Sequence, residues 1–150
     1  MLSVEEATEQ ILSSVPTMPV VQVSIDKADG MVLAADLISP INIPPWDNSA
    51  MDGFALRAED LKPEGDTTLR IVGMVAAGTF PDFTVPKGCA SGIMTGAPLP
   101  KGANAVVMVE QSNGSYTGEV VITAAAKQGQ NIRIQGGDVT AGAVALAAGT

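Results

Sequence analysis

Three short polar clusters interrupt an otherwise apolar chain, and each holds side chains able to do chemistry. The first, Trp46-Asp47-Asn48-Ser49-Ala50-Met51-Asp52-Gly53-Phe54-Ala55, gathers two carboxylates, an amide and a hydroxyl directly behind Pro44-Pro45. Asn48 and Ser49 are of the types that cap a helical turn, whose free N–H groups receive an anion or a carboxylate. Asp52 before Gly53 equally suits a β-turn, because Asp bonds nearby backbone and Gly accepts positive φ. Local chemistry alone favours this turn-and-cap reading over a functional one. The second cluster is Gly92-Ile93-Met94-Thr95-Gly96-Ala97-Pro98-Leu99-Pro100. A strand entering a Thr-Gly loop can offer N–H groups and a hydroxyl to an oxyanion. It matches neither the P-loop nor the dinucleotide-fold pattern, and a plain strand-ending turn is the simpler reading. The third runs from Gly129 to Asp138 and contains Arg133, one of only eight cations. Arg133 either binds an anion or forms a surface ion pair, and the sequence weighs the two equally.

Composition removes several alternatives. The 150 residues hold 8 Lys+Arg against 16 Asp+Glu, a net charge of −8, which has the wrong sign for nucleic-acid binding. With no His in the sequence, Ser-His-Asp triads, Cys-His dyads and His-ligated zinc are all excluded. A single Cys, Cys89, permits no internal disulfide and reads as a buried, inert side chain. No apolar run is long enough for a membrane span, and the acidic start does not resemble a signal peptide, so a cytoplasmic protein is expected. Glu110, just past the apolar run Val106–Val109, is as often solvated as functional. Trp46 is most simply a packing anchor.

These clusters need elements to hold them. Ser3 and Glu6 form a capping box, and Val4, Ala7, Ile11, Leu12 and Val15 follow at helical spacing until Pro16. A strand is expected at Val20–Val23, then a short helical turn through Asp26–Asp29 capped by Ser24, then an apolar strand-like stretch at Val32–Ile38. Pro40, Pro44 and Pro45 make the next segment an extended crossover. Beyond it, Arg70–Val75, Thr84–Cys89, Ala105–Val109 and Gly118–Thr123 have β character, separated by Gly- and Pro-containing turns. Asn131–Ile134 through Val144–Leu146 is expected to return and pair with the first part. The fold class is α+β, mainly β, with short helices, an N-terminal amphipathic helix and a barrel-like β module.

Taken together, P-x-x-D-N-S-A-M-D-G-F-A, I-M-T-G-A-P-x-P, A-V-V-M-x-E and G-x-N-I-R-x-x-G-x-D resemble, in this order, the molybdopterin molybdenumtransferase family, which includes bacterial MoeA and the gephyrin E-domain. The resemblance covers the chain from the first helix to residue 150 and implies the N-terminal portion of a longer protein. It implies a discontinuous subdomain I at 1–44 plus 139–150 and an inserted β-rich subdomain II at 45–138.

The implied activity is insertion of molybdate into adenylyl-molybdopterin with release of AMP, in a cleft shared between the protomers of a homodimer. The third subdomain, which carries the pterin-binding fold, is not represented, so the 150 residues alone are expected to be inactive. Residue by residue, Asp52, Thr95 and Asp138 match the family's functional positions. Asn48, Ser49, Gly53, Gly96 and Arg133 then become expected substrate-binding residues, with Asp52 and Asp138 as ligands of Mg2+. Gly136-Gly137 departs from the more polar version in relatives, which is expected to loosen the loop carrying Asp138. Other molybdenum cofactor pathway enzymes are possible partners. Two readings stand beside this one: a non-catalytic interaction or dimerisation module, and a β domain that binds a small anion.

Overall fold

A computed structural model describes residues 2–150 and divides the chain into two compact units. One comprises the residues up to Leu37 together with Leu146–Thr150; the other is Ile38–Ala145. The expected bounds at 44 and 139 lie inside the second unit. There Ser39 N donates to Ala143 O at 2.9 Å and Ile43 N to Val139 O at 2.7 Å, binding the outgoing and returning crossovers to each other.

In the first unit the helix α1 spans Val4–Ser14. Its capping box forms as expected: Ser3 N donates to Glu6 Oε2 at 2.8 Å, and Glu6 N to Ser3 Oγ at 3.1 Å. No residue of α1 is buried, so its apolar stripe at Val4, Ile11 and Leu12 is uncovered. The strand expected at Val20–Val23 does not form. A strand requires a hydrogen-bonded neighbour, and no described segment pairs with this one. Ile25–Lys27 is a 3₁₀ turn, although Ser24 makes no side-chain cap. Of Val32–Ile38 only Leu37–Ile38 becomes a strand, β1, which pairs with β9 at Val144–Leu146.

The second unit holds β2 (Asn48–Ser49), β3 (Gly53–Leu56), β4 (Thr67–Val75), β5 (Cys89–Ile93), β6 (Ala105–Met108), β7 (Glu119–Ile122) and β8 (Ile132–Arg133). Five of them form a curled half-barrel sheet in the order β6-β3-β5-β4-β7. Only β4 and β5 run parallel; β3 is antiparallel to β5 and β6, and β7 to β4. The expected Thr84–Cys89 strand is displaced, with β5 starting at Cys89. Pro86 has no N–H to give a ladder, and Gly88 turns the chain at φ 73°.

Successive side chains of a strand point to opposite faces, and here both faces are covered. Phe54 and Leu56 join Leu69, Val107, Val120 and Ile122 on one side, while Ala55 joins Val75, Ile93 and Val106 on the other. Burial on both faces removes the polar alternation that marks an exposed strand, which is why β3 reads as a turn from sequence. Gly53 opens β3 because a Cβ there would stand 2.0 Å from Val107 O.

Candidate functional site

The three polar clusters meet on one segment, residues 43–52. On one side Leu99 N donates to Asp47 O at 3.0 Å, Ser49 N to Ala97 O at 3.0 Å and Gly96 N to Ser49 O at 2.8 Å. On the other, β2 pairs antiparallel with β8, Asn48 opposite Arg133 and Ser49 opposite Ile132. Ala50 N donates to Asn131 O at 2.9 Å, and Gln135 N reaches Asp47 Oδ1 at 2.7 Å. Asn48 and Ser49 therefore cap no helical turn. They lie between two flanking segments whose backbone groups they satisfy, and a turn of helix would forfeit those bonds.

Asp52 follows β2 and is clasped by Thr95. The Thr95 N–H donates to Asp52 Oδ1 at 2.7 Å and its hydroxyl donates to the same oxygen at 2.8 Å. These two bonds, the backbone one first, hold the Asp52 carboxyl below its ordinary value and keep it anionic at neutral pH. Asp52 Oδ2 remains available on an exposed surface.

The donors that sequence assigns to an oxyanion are already used. Thr95 N and Oγ1 serve Asp52, Gly96 N serves Ser49 O, and Ala97 N donates to Met94 O at 3.0 Å. Ser49 is fully buried, with its hydroxyl donating to Met51 O at 2.5 Å, and Gly53 is a strand residue pressed against Val107 O. Asn48 keeps unspent capacity: it is 5% exposed, Nδ2 donates to Trp46 O, and Oδ1 is buried without a partner. A buried acceptor left empty is costly, so this carbonyl is suited to a donor brought by ligand or water.

Arg133 and Asp138 find each other, with Nη2 donating to Oδ2 at 2.6 Å and both side chains half exposed. The ion-pair reading of Arg133 is thus the one the structure forms. Gly136 and Gly137 lie in the adjacent turn, at positions that glycine suits. Gly136 takes φ 71°, and a Cβ on Gly137 would touch Ile134 O at 3.0 Å. Among the described residues no three His, Cys, Asp or Glu side chains gather as a metal site. The carboxylates of Asp52 and Asp138 are separately engaged, and the donors present do not by themselves fit Mg2+.

Tyr116 was not marked by any motif. Its ring stacks on Phe54 at 4.9 Å and 27°, and lies against Gly92, the cross-strand partner of Phe54. Burial raises its phenol above the usual value, followed by the charges of Asp52 and Glu110. A tyrosine lying between two motifs, six residues past Glu110, carries no local signal of this placement.

The second unit is thus a β-rich module that displays an acidic group, clasped by a loop, beside the end of its sheet. The family described as "MoeA N-terminal region (domain I and II)" matches residues 2–150, and the chain belongs to it. It is 38% identical over 149 residues to molybdopterin molybdenumtransferase 2 of Mycobacterium tuberculosis, covering 97% of this chain and 36% of the relative. A molybdopterin molybdenumtransferase of Haemophilus influenzae is 38% identical over 150 residues, covering 99% and 37%. The crystal structure of a molybdopterin biosynthesis moeA protein from Pyrococcus horikoshii OT3 superposes with a TM-score of 0.78 at 36% identity, covering 84% of this chain and 34% of that one. The chain spans little more than a third of the length of these relatives. No described helix is long and apolar enough to cross a membrane.

Proposed function

We propose that these residues form the N-terminal part of a cytoplasmic enzyme that inserts molybdate into adenylyl-molybdopterin and releases AMP. The observation carrying this reading is the convergence of all three polar clusters on residues 43–52, with Asp52 held anionic by Thr95. Asp52 is the catalytic group of the reading: its free oxygen accepts a proton-bearing group and orients a water or a substrate hydroxyl. Thr95 positions it. Asn48 Oδ1 receives a substrate donor, and Arg133 supplies positive charge to an anionic substrate once Asp138 yields it. Mg2+ is part of the family expectation, but no step here runs through it, because the donors of this chain do not assemble a site.

The two units correspond in this reading to subdomains I and II, and the active protein is a homodimer acting on small-molecule substrates. The uncovered apolar stripe of α1 also favours the second reading, an interaction or dimerisation module without catalysis. Molybdenum transfer, measured in a chain of the relatives' length carrying this segment, separates the two. Asp52→Asn keeps the acceptor for Thr95 but removes the charge, and should lower the transfer rate by about 10²-fold or more. An unchanged rate would sink the assignment. The 150 residues alone should show no multiple turnover; turnover by them would contradict the shared-cleft reading.

A further inference from the structure

Asp52 and Thr95 come together from segments remote in sequence, and one buried residue grips the chain on both sides of their contact. That residue is Ser49, which is fully buried. Its backbone holds the turn that follows Thr95: Ser49 N donates to Ala97 O at 3.0 Å, and Gly96 N donates to Ser49 O at 2.8 Å. Its hydroxyl holds the residue that precedes Asp52. Ser49 Oγ donates to Met51 O at 2.5 Å and accepts from Met51 N at 3.2 Å.

A hydroxyl that closes on both backbone groups of the residue two positions ahead fixes the direction in which the chain leaves that residue. The next residue is Asp52. On the other side, Ala97 N donates to Met94 O at 3.0 Å, which closes a turn with Thr95 inside it. Both partners of the clasp are therefore referenced to the same residue. With its hydroxyl engaged and no exposed surface, Ser49 has no contact to give a substrate, so any contribution it makes passes through Asp52.

We propose that Ser49 is a positioning residue of this site: its hydroxyl holds Met51 so that the Asp52 carboxylate meets Thr95, while its backbone holds the Thr95 turn. The effect on transfer rests on the proposed function. The effect on the clasp does not.

Ser49→Ala removes the hydroxyl and keeps both backbone bonds. In the 150-residue chain, amide exchange at Thr95 should quicken about tenfold in this variant. The Asp52 carboxyl should titrate higher than in the unaltered chain, as read by NMR. Val120→Ala, in the core cluster around Phe54, is the control for lost stability alone; it should weaken the fold and leave both readings in place. Ser49→Cys, close in size and weaker in hydrogen bonding, should give intermediate readings and covers an alanine variant that does not fold. Readings in Ser49→Ala or Ser49→Cys that match the unaltered chain, or that Val120→Ala reproduces, overturn the proposal. In a chain of the relatives' length, Ser49→Ala should lower kcat about tenfold with KM unchanged. A raised KM with kcat unchanged would make Ser49 a substrate contact and also overturn it. An unmoved clasp with Asp52→Asn still slowing transfer defeats this inference alone. A moved clasp with Asp52→Asn fully active defeats the proposed function alone.

Discussion

Asp47 and Gln135 are 88 residues apart in sequence, and the Gln135 N–H donates to Asp47 Oδ1 at 2.7 Å. The Asp47 carbonyl meanwhile accepts from Leu99 N. One residue therefore ties the loop of Thr95 to the turn that leads to Asp138. Asp47→Ala should cost about 1 kcal/mol, the usual net worth of one hydrogen bond, because the site is exposed. Urea unfolding measures the loss, and hydrogen exchange at the Gln135 amide should accelerate.

The Thr95 clasp predicts a titration. Asp52 should titrate below ordinary aspartates, so its contribution to stability is complete above the unfolded value and fades as pH falls through the lowered one. Thr95→Val removes the hydroxyl bond but keeps the stronger backbone bond. The Asp52 value should rise only part of the way back, as read from carboxyl NMR shifts; no movement would discard the hydroxyl contact.

Tyr116 is the sole tyrosine, and its ionisation can be followed by ultraviolet absorbance. It should titrate above a free phenol, and Asp52→Asn should lower the midpoint because one facing negative charge is gone. The stability this phenol contributes is full below its unfolded value and lost as pH rises through the raised one. An unmoved midpoint in Asp52→Asn would place Tyr116 away from the clasp.

Gly53 and Gly92 distinguish backbone from side-chain crowding. Ala at Gly53 collides with the Val107 carbonyl inside the sheet, whereas Ala at Gly92 meets Met74 Sδ and the Tyr116 ring. Gly53→Ala should destabilise by about 3 kcal/mol or more, and Gly92→Ala by about 1–2 kcal/mol with displacement of Tyr116. Thermal unfolding ranks them, and loss of the raised Tyr116 titration marks the second.

Much of the local structure was legible. Ser3 and Glu6 announce α1, because a capping box needs only residues three apart. Gly65, Gly88, Gly102 and Gly114 take the positive φ that their turns require. The strand at Val20–Val23 was misread because β-branched residues satisfy propensity without supplying a partner. β3 was missed for the opposite reason: its sheet neighbours are remote, and Gly53 looks like a turn until Val107 stands over it.

The four motifs, their order, the acidic balance and the absence of histidine chemistry can be read directly from residue types. Short-range hydrogen bonds and residue types are enough for those. Tertiary structure decided which side chains are free. It joined Asp52 to Thr95 across 43 residues, consumed Arg133 on Asp138, left Asn48 Oδ1 unpartnered and stacked Tyr116 on Phe54. Those outcomes depend on how the sheet curls and where β2 inserts between its two flanking segments. Long-range packing sets that geometry, and no local spacing encodes it.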